Sequence, residues 1–496
     1  MSTALVIAIA YFLILSFGVS FFLRKKVKSG SDLVTGSSTL AWPLVTAGFV
    51  LAPLGAGHTF NLWQYQADMG ASVLWWGMIA GGIFVPLFLL WFGPWFRRLN
   101  VQTFPEGMGK IFGKNIGWLI AAVFPAQLLG ICIAEVFTTA TAINALSGDT
   151  LKMNPDCIYL AVGFTILYIV VAGVMQAAWM NLINAVMLIV GSFVAVFATG
   201  HWLEGRGGWE SVANFYIADG KPLHTSILNF SPDVVFIIIF PCLILLVFMC
   251  SASQAQYQPM LLAKSESDIR RGVFFASFVN SIVTYPWVIL GLVAMATVVG
   301  AGADAIAVAK CVPTLAIEAF PPWMVGVLMI ALLAATLSTS AQLILASSHM
   351  IVHDIFKKAV NPRMSDKTFL ILTRIMIFVC ALLVIVPTLK LNRPVIEIFF
   401  WTFSFAIPVF GVYLIGMLWK VNRVAAWITM LAGYAADFLW TFAPNLIWLP
   451  ERIKSNVYAT IFATVLFGVV LNLVLHGEPG YLRQLKAAEQ KESVNA

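Results

Sequence analysis

Charge is what this sequence has least of. Asp, Glu, Lys and Arg make up only 10% of its 496 residues, against roughly 25% in a soluble globular domain, which excludes a water-facing surface wrapped around a single core. Long polar stretches are also missing, apart from the segment near 203–232 and the tail 477–496. That leaves no room for a fused nucleotide-binding or signalling domain. No GxxxxGK phosphate-cradling loop occurs, so the chain does not draw on ATP by itself. Paired cysteine is lacking as well. Cys132, Cys157, Cys242, Cys250, Cys311 and Cys380 have no metal or redox spacing, and small buried thiols are the default expectation. A disulfide is geometrically open only to Cys157 and Cys311, which fall near the same face.

What is abundant is apolar: 60% of residues, with a mean hydropathy of +0.92. Thirteen apolar stretches are long enough to cross the roughly 30 Å of hydrocarbon that about 20 helical residues span. They cover 4–23, 41–64, 71–94, 115–146, 157–175, 181–202, 233–262, 273–300, 323–352, 368–389, 396–418, 425–446 and 457–476. Barrel strands would be half that length, so the expectation is an all-α polytopic membrane protein. Arg24, Lys25, Lys26 and Lys28 follow the first stretch rather than precede it, the wrong polarity for a cleaved signal peptide; the stretch reads as an anchor. An external N-terminus puts most of the 29 Lys and Arg on the cytoplasmic side and leaves the 477–496 tail there. Topology thus explains the net charge of +7 without a nucleic-acid surface.

Two stretches are irregular in the same way. The second carries Ala52, Pro53, Leu54, Gly55, Ala56 and Gly57 near its middle, and the seventh carries Ser251, Ala252, Ser253 and Gln254, then Pro259; each run weakens helical hydrogen bonding. They open two successive five-span blocks, 41–202 and 233–418, with 4–23 and 425–476 outside them. Five is odd, so the second block is inverted relative to the first. Matched interruptions in inverted repeats point to a transporter's central site, because unwound carbonyls and half-helix ends bind ions and solute there.

The ninth stretch contains Ala334, Ala335, Thr336, Leu337, Ser338, Thr339 and Ser340. Positions 335, 338 and 339 share one helix face. Two hydroxyls beside carbonyls at Ala335 and at Ala52 and Gly55 of the interruption would suit a hard monovalent cation; back-bonding and close helix packing are the alternative. Glu135 sits in an apolar run, where a bare charge costs at least about 2.5 kcal/mol, and is a candidate for binding solute, ion or proton. Gly57, His58 and Thr59 after the first interruption, Gln254 and Tyr257 at the second, and Trp401 in an aromatic run complete the solute-facing candidates. Arg374, Asp437, His349, His353 and Asp354 receive no role.

Three groups of residues carry a family likeness. The first is Ser31, Asp32 and Leu33 through Trp42, then Gly70, Arg97, Arg98, Leu99, Thr103, Pro105 and Glu106. The second is Gln254 and Gln258 followed by Ala263, Lys264, Ser265, Arg270, Arg271 and Gly272. The third is Ala335 to Thr339 with Gln342, Leu343, Ser347, Ser348, Asp354 and Ile355. Here the sequence resembles the sodium:solute symporter family, nearest its proline and pantothenate permease branch. The resemblance implies thirteen helices, ten of them in a LeuT-like inverted repeat, and a sodium site on the carbonyls of Ala52, Gly55 and Ala335 and the hydroxyls of Ser338 and Thr339. It also implies a plasma-membrane symporter, not an enzyme, that imports a small amino acid, carboxylate or vitamin-like solute. The partners expected are solute and lipid, with no obligatory protein partner. Asn181 stands where family members often carry an aspartate, and Ala341 and Gln342 where some carry serines, so one sodium per cycle is expected. Leu54 and Pro259 depart from the proline carriers. The rival readings are a proton-coupled carrier using Glu135, and a sensor or channel on the same scaffold.

Overall fold

The computed structural model describes residues 3–23, 40–51, 55–148, 150–170, 173–232, 234–391 and 395–495. Apolar helices follow one another along nearly all of them. The first half runs α1 (Thr3–Leu23), α2 (Trp42–Leu51), α3 (Ala56–Met69), α4 (Trp76–Arg98), the short α5 (Phe104–Phe112), α6 (Lys114–Leu146), α7 (Met153–Ile169), α8 (Gly173–Glu204) and the short α9 (Gly208–Ala218). The second runs α10 (Val234–Ser251), α11 (Gln254–Leu262), α12 (Glu266–Val299), the short α13 (Ala305–Ala309) and α14 (Cys311–Ala319), α15 (Pro322–Val360) and α16 (Asp366–Leu389). After these come α17 (Val395–Ser404), α18 (Ala406–Leu418), α19 (Arg423–Phe442), α20 (Asn456–Val474) and α21 (Tyr481–Asn495).

Eleven segments, taking α17 and α18 together, are long and apolar enough to cross a bilayer. All thirteen predicted stretches fall on helix. The second lacks a single crossing helix because it divides into α2 and α3, and the fifth because α7 is shorter. The tail brings something periodicity did not show: Lys420–Val421 pairs antiparallel with Glu478–Pro479, and α21 follows.

Polar residues at the helix starts explain where the elements begin. Thr103 accepts the Glu106 N–H (3.2 Å) at α5, Ser265 the Asp268 N–H (3.1 Å) at α12, Ser365 the Thr368 N–H (3.2 Å) at α16, and Asn422 the Ala425 N–H (2.8 Å) at α19. Each satisfies a donor that the first helical turn leaves without a partner. Between these starts, α15 is the central post. Every residue from Leu328 to Met350 is buried, and α15 packs chiefly on α6 and α8. Small side chains permit that closeness: a Cβ on Gly191 of α8 would come within 2.9 Å of the Ala331 methyl.

Both predicted interruptions are real. α2 is described as far as Leu51; Ala52, Pro53 and Leu54 lie outside the described residues, and Gly55 (ψ 171°) is non-helical ahead of α3. α10 stops at Ser251; Ala252 leaves helical geometry (φ −133°) and Ser253 is extended, its hydroxyl accepting the Ala255 N–H at 3.3 Å to start α11. The two broken spans also touch, the Leu40 N–H donating to Leu262 O (3.0 Å) and the Lys264 N–H to Leu40 O (2.8 Å).

Candidate functional site

The Thr339 hydroxyl donates to Leu51 O at 2.7 Å, with Ala335 O at 3.0 Å, and the Ser338 hydroxyl donates to Ala335 O at 2.8 Å. Ser338 and Ala335 are fully buried and Thr339 nearly so. The last carbonyl of α2 and two alcohols of α15 therefore meet where the first interruption begins. Sequence reasoning placed the α15 residues here but did not single out Leu51. Ala52, the carbonyl expected next, lies outside the described residues. Gly55 O accepts the Thr59 N–H at 3.2 Å and has the Thr59 hydroxyl at 3.5 Å, so one of its lone pairs already serves α3. The donor set fits a weakly demanding alkali cation: its described members are all uncharged oxygens, carbonyls and alcohols, where a hard divalent ion asks for carboxylates. Among the described residues no cluster of three His, Cys, Asp or Glu forms a divalent site.

Glu135 of α6 stands on the other side of the same interruption. A Cβ built on Gly55 would lie 2.7 Å from the Glu135 carboxyl carbon, and Glu135 is only 2% exposed. The carboxylate therefore rests against the residue that caps α3, where the partial positive charge of a helix start favours an anion. Gly55 has to be glycine for this approach. The backbone carbonyl of Glu135 accepts the hydroxyls of Thr138 (2.9 Å) and Thr139 (2.7 Å) one turn on. Gly57 and His58 fall in the first turn of α3, and their side chains lie outside the described residues.

Gln254 and Tyr257, expected to face the solute, are hydrogen-bonded within the protein. Gln254 Oε1 accepts the Phe104 N–H at 2.6 Å, and the Tyr257 hydroxyl donates to Ser251 O at 3.1 Å. Tyr257 belongs to a knot of buried rings with Phe96 (4.5 Å), Phe104 (5.0 Å) and, through Phe104, Phe124 (5.8 Å) and Tyr413 (5.6 Å). This knot closes the end of the bundle where the basic residues gather. Ties around it are polar: Thr103 to Asp354 (3.0 Å), Arg98 to Glu266 (2.8 Å), Lys358 to Glu106 (2.7 Å), and Arg97 to the carbonyl of Ala263. Both lie in the first turn of α11, which packs on α5 directly after the interruption. Trp401 packs on Phe405 (5.4 Å) and Phe438 of α19 (6.3 Å).

Asn181 is held from one side only. Its Oδ1 accepts the Tyr168 hydroxyl (2.8 Å), which accepts from Asn184 Nδ2 (2.7 Å), whose Oδ1 accepts the Tyr11 hydroxyl of α1 (2.9 Å). Asn181 and Gln342 line one small crevice with Gln258 and Pro259, and no carboxylate joins them there. All six cysteines are free thiols and buried, Cys157 and Cys311 included.

Comparison with known proteins places the chain in a family. The model of the Sodium:solute symporter family matches residues 34–433. The sodium/glucose cotransporter of Vibrio parahaemolyticus is 23% identical, aligned over 88% of this chain and 84% of its own length. The sodium/myo-inositol cotransporter 2 of Bos taurus is 24% identical over 94% and 75%, and the sodium/glucose cotransporter 1 of Ovis aries 23% identical over 95% and 77%. These relatives are named for glucose and myo-inositol, not for proline or pantothenate. Among solved structures, a Na+-coupled sialic acid symporter in its substrate-bound outward-open state superposes with a TM-score of 0.81 at 15% identity, covering 97% of this chain and 99% of its own. MhsT in complex with L-phenylalanine follows the same fold at 0.53 and 16%, over 87% and 97%. An integral, multi-pass membrane protein of LeuT-like fold, the chain belongs to the sodium:solute symporter family.

Proposed function

We propose that this protein imports a small organic solute together with one sodium ion per cycle, by alternating access across the plasma membrane. Sodium-coupled symport follows from the family; the site, the stoichiometry and the solute are our reading. The observation that carries it is the Thr339 hydroxyl on the carbonyl of Leu51. This contact joins the interrupted span of the first repeat to the central post of the second, so an ion held by Leu51, Ala335, Ser338 and Thr339, with Ala52 and Gly55 nearby, favours the arrangement in which the two repeats are drawn together. Solute binds beside it, toward Gly55, Thr59 and Glu135.

The basic end is assigned to the cytoplasm by the excess of Lys and Arg there, and the ring knot with its polar ties then closes the protein toward the cytoplasm. Release requires that seal to part. An amide at Asn181, in place of an acid, and the lack of serines at Ala341 and Gln342 support a single ion. One ion suffices: a 100 mV potential gives about 2.3 kcal/mol and a tenfold gradient about 1.4 kcal/mol, enough for about 500-fold accumulation of a neutral solute. The glucose and myo-inositol relatives favour a hydroxyl-bearing solute over the amino acid, carboxylate or vitamin-like solute expected from the sequence.

The test is uptake of labelled glucose, myo-inositol and proline into proteoliposomes, with sodium replaced by potassium at fixed pH. Uptake of one of them only with sodium is the expected result. Equal rates in potassium, with dependence on a proton gradient, would instead favour coupling through Glu135.

A further inference from the structure

At the first interruption, the seat that an anionic solute would need is already filled by the protein. Carriers of this fold aim the start of a half-helix at the solute's negative group, because the N–H groups of the first turn and the helix dipole converge there. In this chain that start is α3, fourteen residues long with no side-chain cap from Gly55. A carboxylate nevertheless lies against it: both oxygens of Glu135 fall within 2.7 Å of where a Gly55 Cβ would stand. Glu135 is 2% exposed and comes from a different helix, in the middle of the 33-residue α6, so no local turn geometry forces it there. The glycine is what admits it, since any side chain at 55 would collide with the carboxyl group.

We propose that Glu135 is a specificity-determining residue that excludes solutes bearing a carboxylate at this end of the site and selects solutes offering hydrogen-bond donors, hydroxyl or ammonium. The inference rests on the reading of the chain as a sodium-coupled carrier whose solute binds at the interruption. Its chemistry is charge exclusion. Two carboxylates sharing one buried helix start repel in a medium that screens them poorly, whereas a hydroxyl or ammonium group can donate to Glu135 with no such repulsion. A neutral polyol and an organic cation share the donor chemistry and differ in how much they depend on the charge of Glu135.

Matched solute pairs test this on the purified full-length protein in sodium, read as the solute concentration giving half-maximal rise in melting temperature: glucose against glucuronate, choline against betaine, and prolinamide against proline. The expected result is stabilisation by the member of a pair without the carboxylate, at a concentration at least tenfold lower than its acid. Glu135→Gln should narrow that gap to under threefold. It should weaken a hydroxyl solute about tenfold and a cationic one over a hundredfold, leaving stabilisation by sodium alone intact, which also shows that the variant folds. Glu135→Asp should keep the preference. Wild-type protein stabilised by an acid and not by its partner would overturn the proposal, as would an unchanged preference in Glu135→Gln. Solute stabilisation equal in sodium and potassium would instead strike the symport reading, leaving the comparison of acids with their partners to be read separately.

Discussion

Thr339 serves two helices through one hydroxyl, with Leu51 O at 2.7 Å across the interruption and Ala335 O at 3.0 Å on its own helix. Removing it leaves a buried carbonyl without its donor, a loss of about 1–3 kcal/mol, and takes one oxygen from the proposed ion shell. Thr339→Ala should raise the sodium concentration for half-maximal uptake at least tenfold and Thr339→Ser less than threefold, since serine keeps the hydroxyl; equal curves for Ala and wild type would deny the site. Gly55 is constrained differently. Gly55→Ala places a methyl against the Glu135 carboxyl carbon at 2.7 Å, an overpacking that costs about 1–3 kcal/mol or more. Transport should fall by over 90% with expression retained, and a fully active Gly55→Ala would show that Glu135 is free to withdraw. At this scale the sequence was readable where spacing decides the face, as at Ala335, Ser338 and Thr339. It was not readable where direction depends on a neighbour: nothing local tells that Tyr257 joins a ring knot, or that Trp401 looks toward Phe438.

Among the elements, α5 bears most on gating. It is nine residues long, too short to cross a bilayer, yet it inserts Phe104 into the ring knot and offers its first N–H to Gln254. Phe104→Ala removes a fully buried ring, worth about 3–5 kcal/mol in a packed interior. Cys132 and Cys250 should then react with a maleimide applied from the cytoplasmic side at least tenfold faster, and accumulation of solute should drop as sodium leaks. Unchanged thiol reactivity would mean the seal lies elsewhere. Glu106, at the start of α5, fixes Lys358 of α15. Burial works against its charge, but the Gln102 N–H and Lys358 outweigh it and hold the carboxyl below its ordinary value of 4.5. A depressed carboxylate contributes fully above its ordinary value and loses that contribution only as pH falls through the lower folded value. The tie should therefore be constant across roughly pH 6 to 8, and Glu106→Gln should loosen the seal equally throughout that range. Sequence pattern located the breaks in the second and seventh stretches because Pro, Gly and Ser disrupt an apolar run. It gave no role to α5, whose Thr103, Pro105 and Glu106 mark a helix start but not its destination.

For the whole molecule, two inverted blocks around the post α15 explain why one contact between Leu51 and Thr339 has such leverage: it joins a moving span to the element against which others pack. The arrangement was legible because each crossing helix is long, apolar and separately punctuated, and because five spans per block force inversion. The tail ribbon with α21 was beyond pattern alone, since it depends on a pairing distant in sequence. A carrier with Asn181 and no second acid beside it should show a Hill coefficient near 1 for sodium and one charge moved per neutral solute; a value of 2 would mean a further site. The most direct measurement is binding of radioactive sodium to purified protein without solute, for wild type and Thr339→Ala. We predict saturable binding of one ion per chain in the wild type and affinity at least tenfold weaker in the variant. Identical binding curves, or none in the wild type, would contradict a sodium site between the broken span and α15.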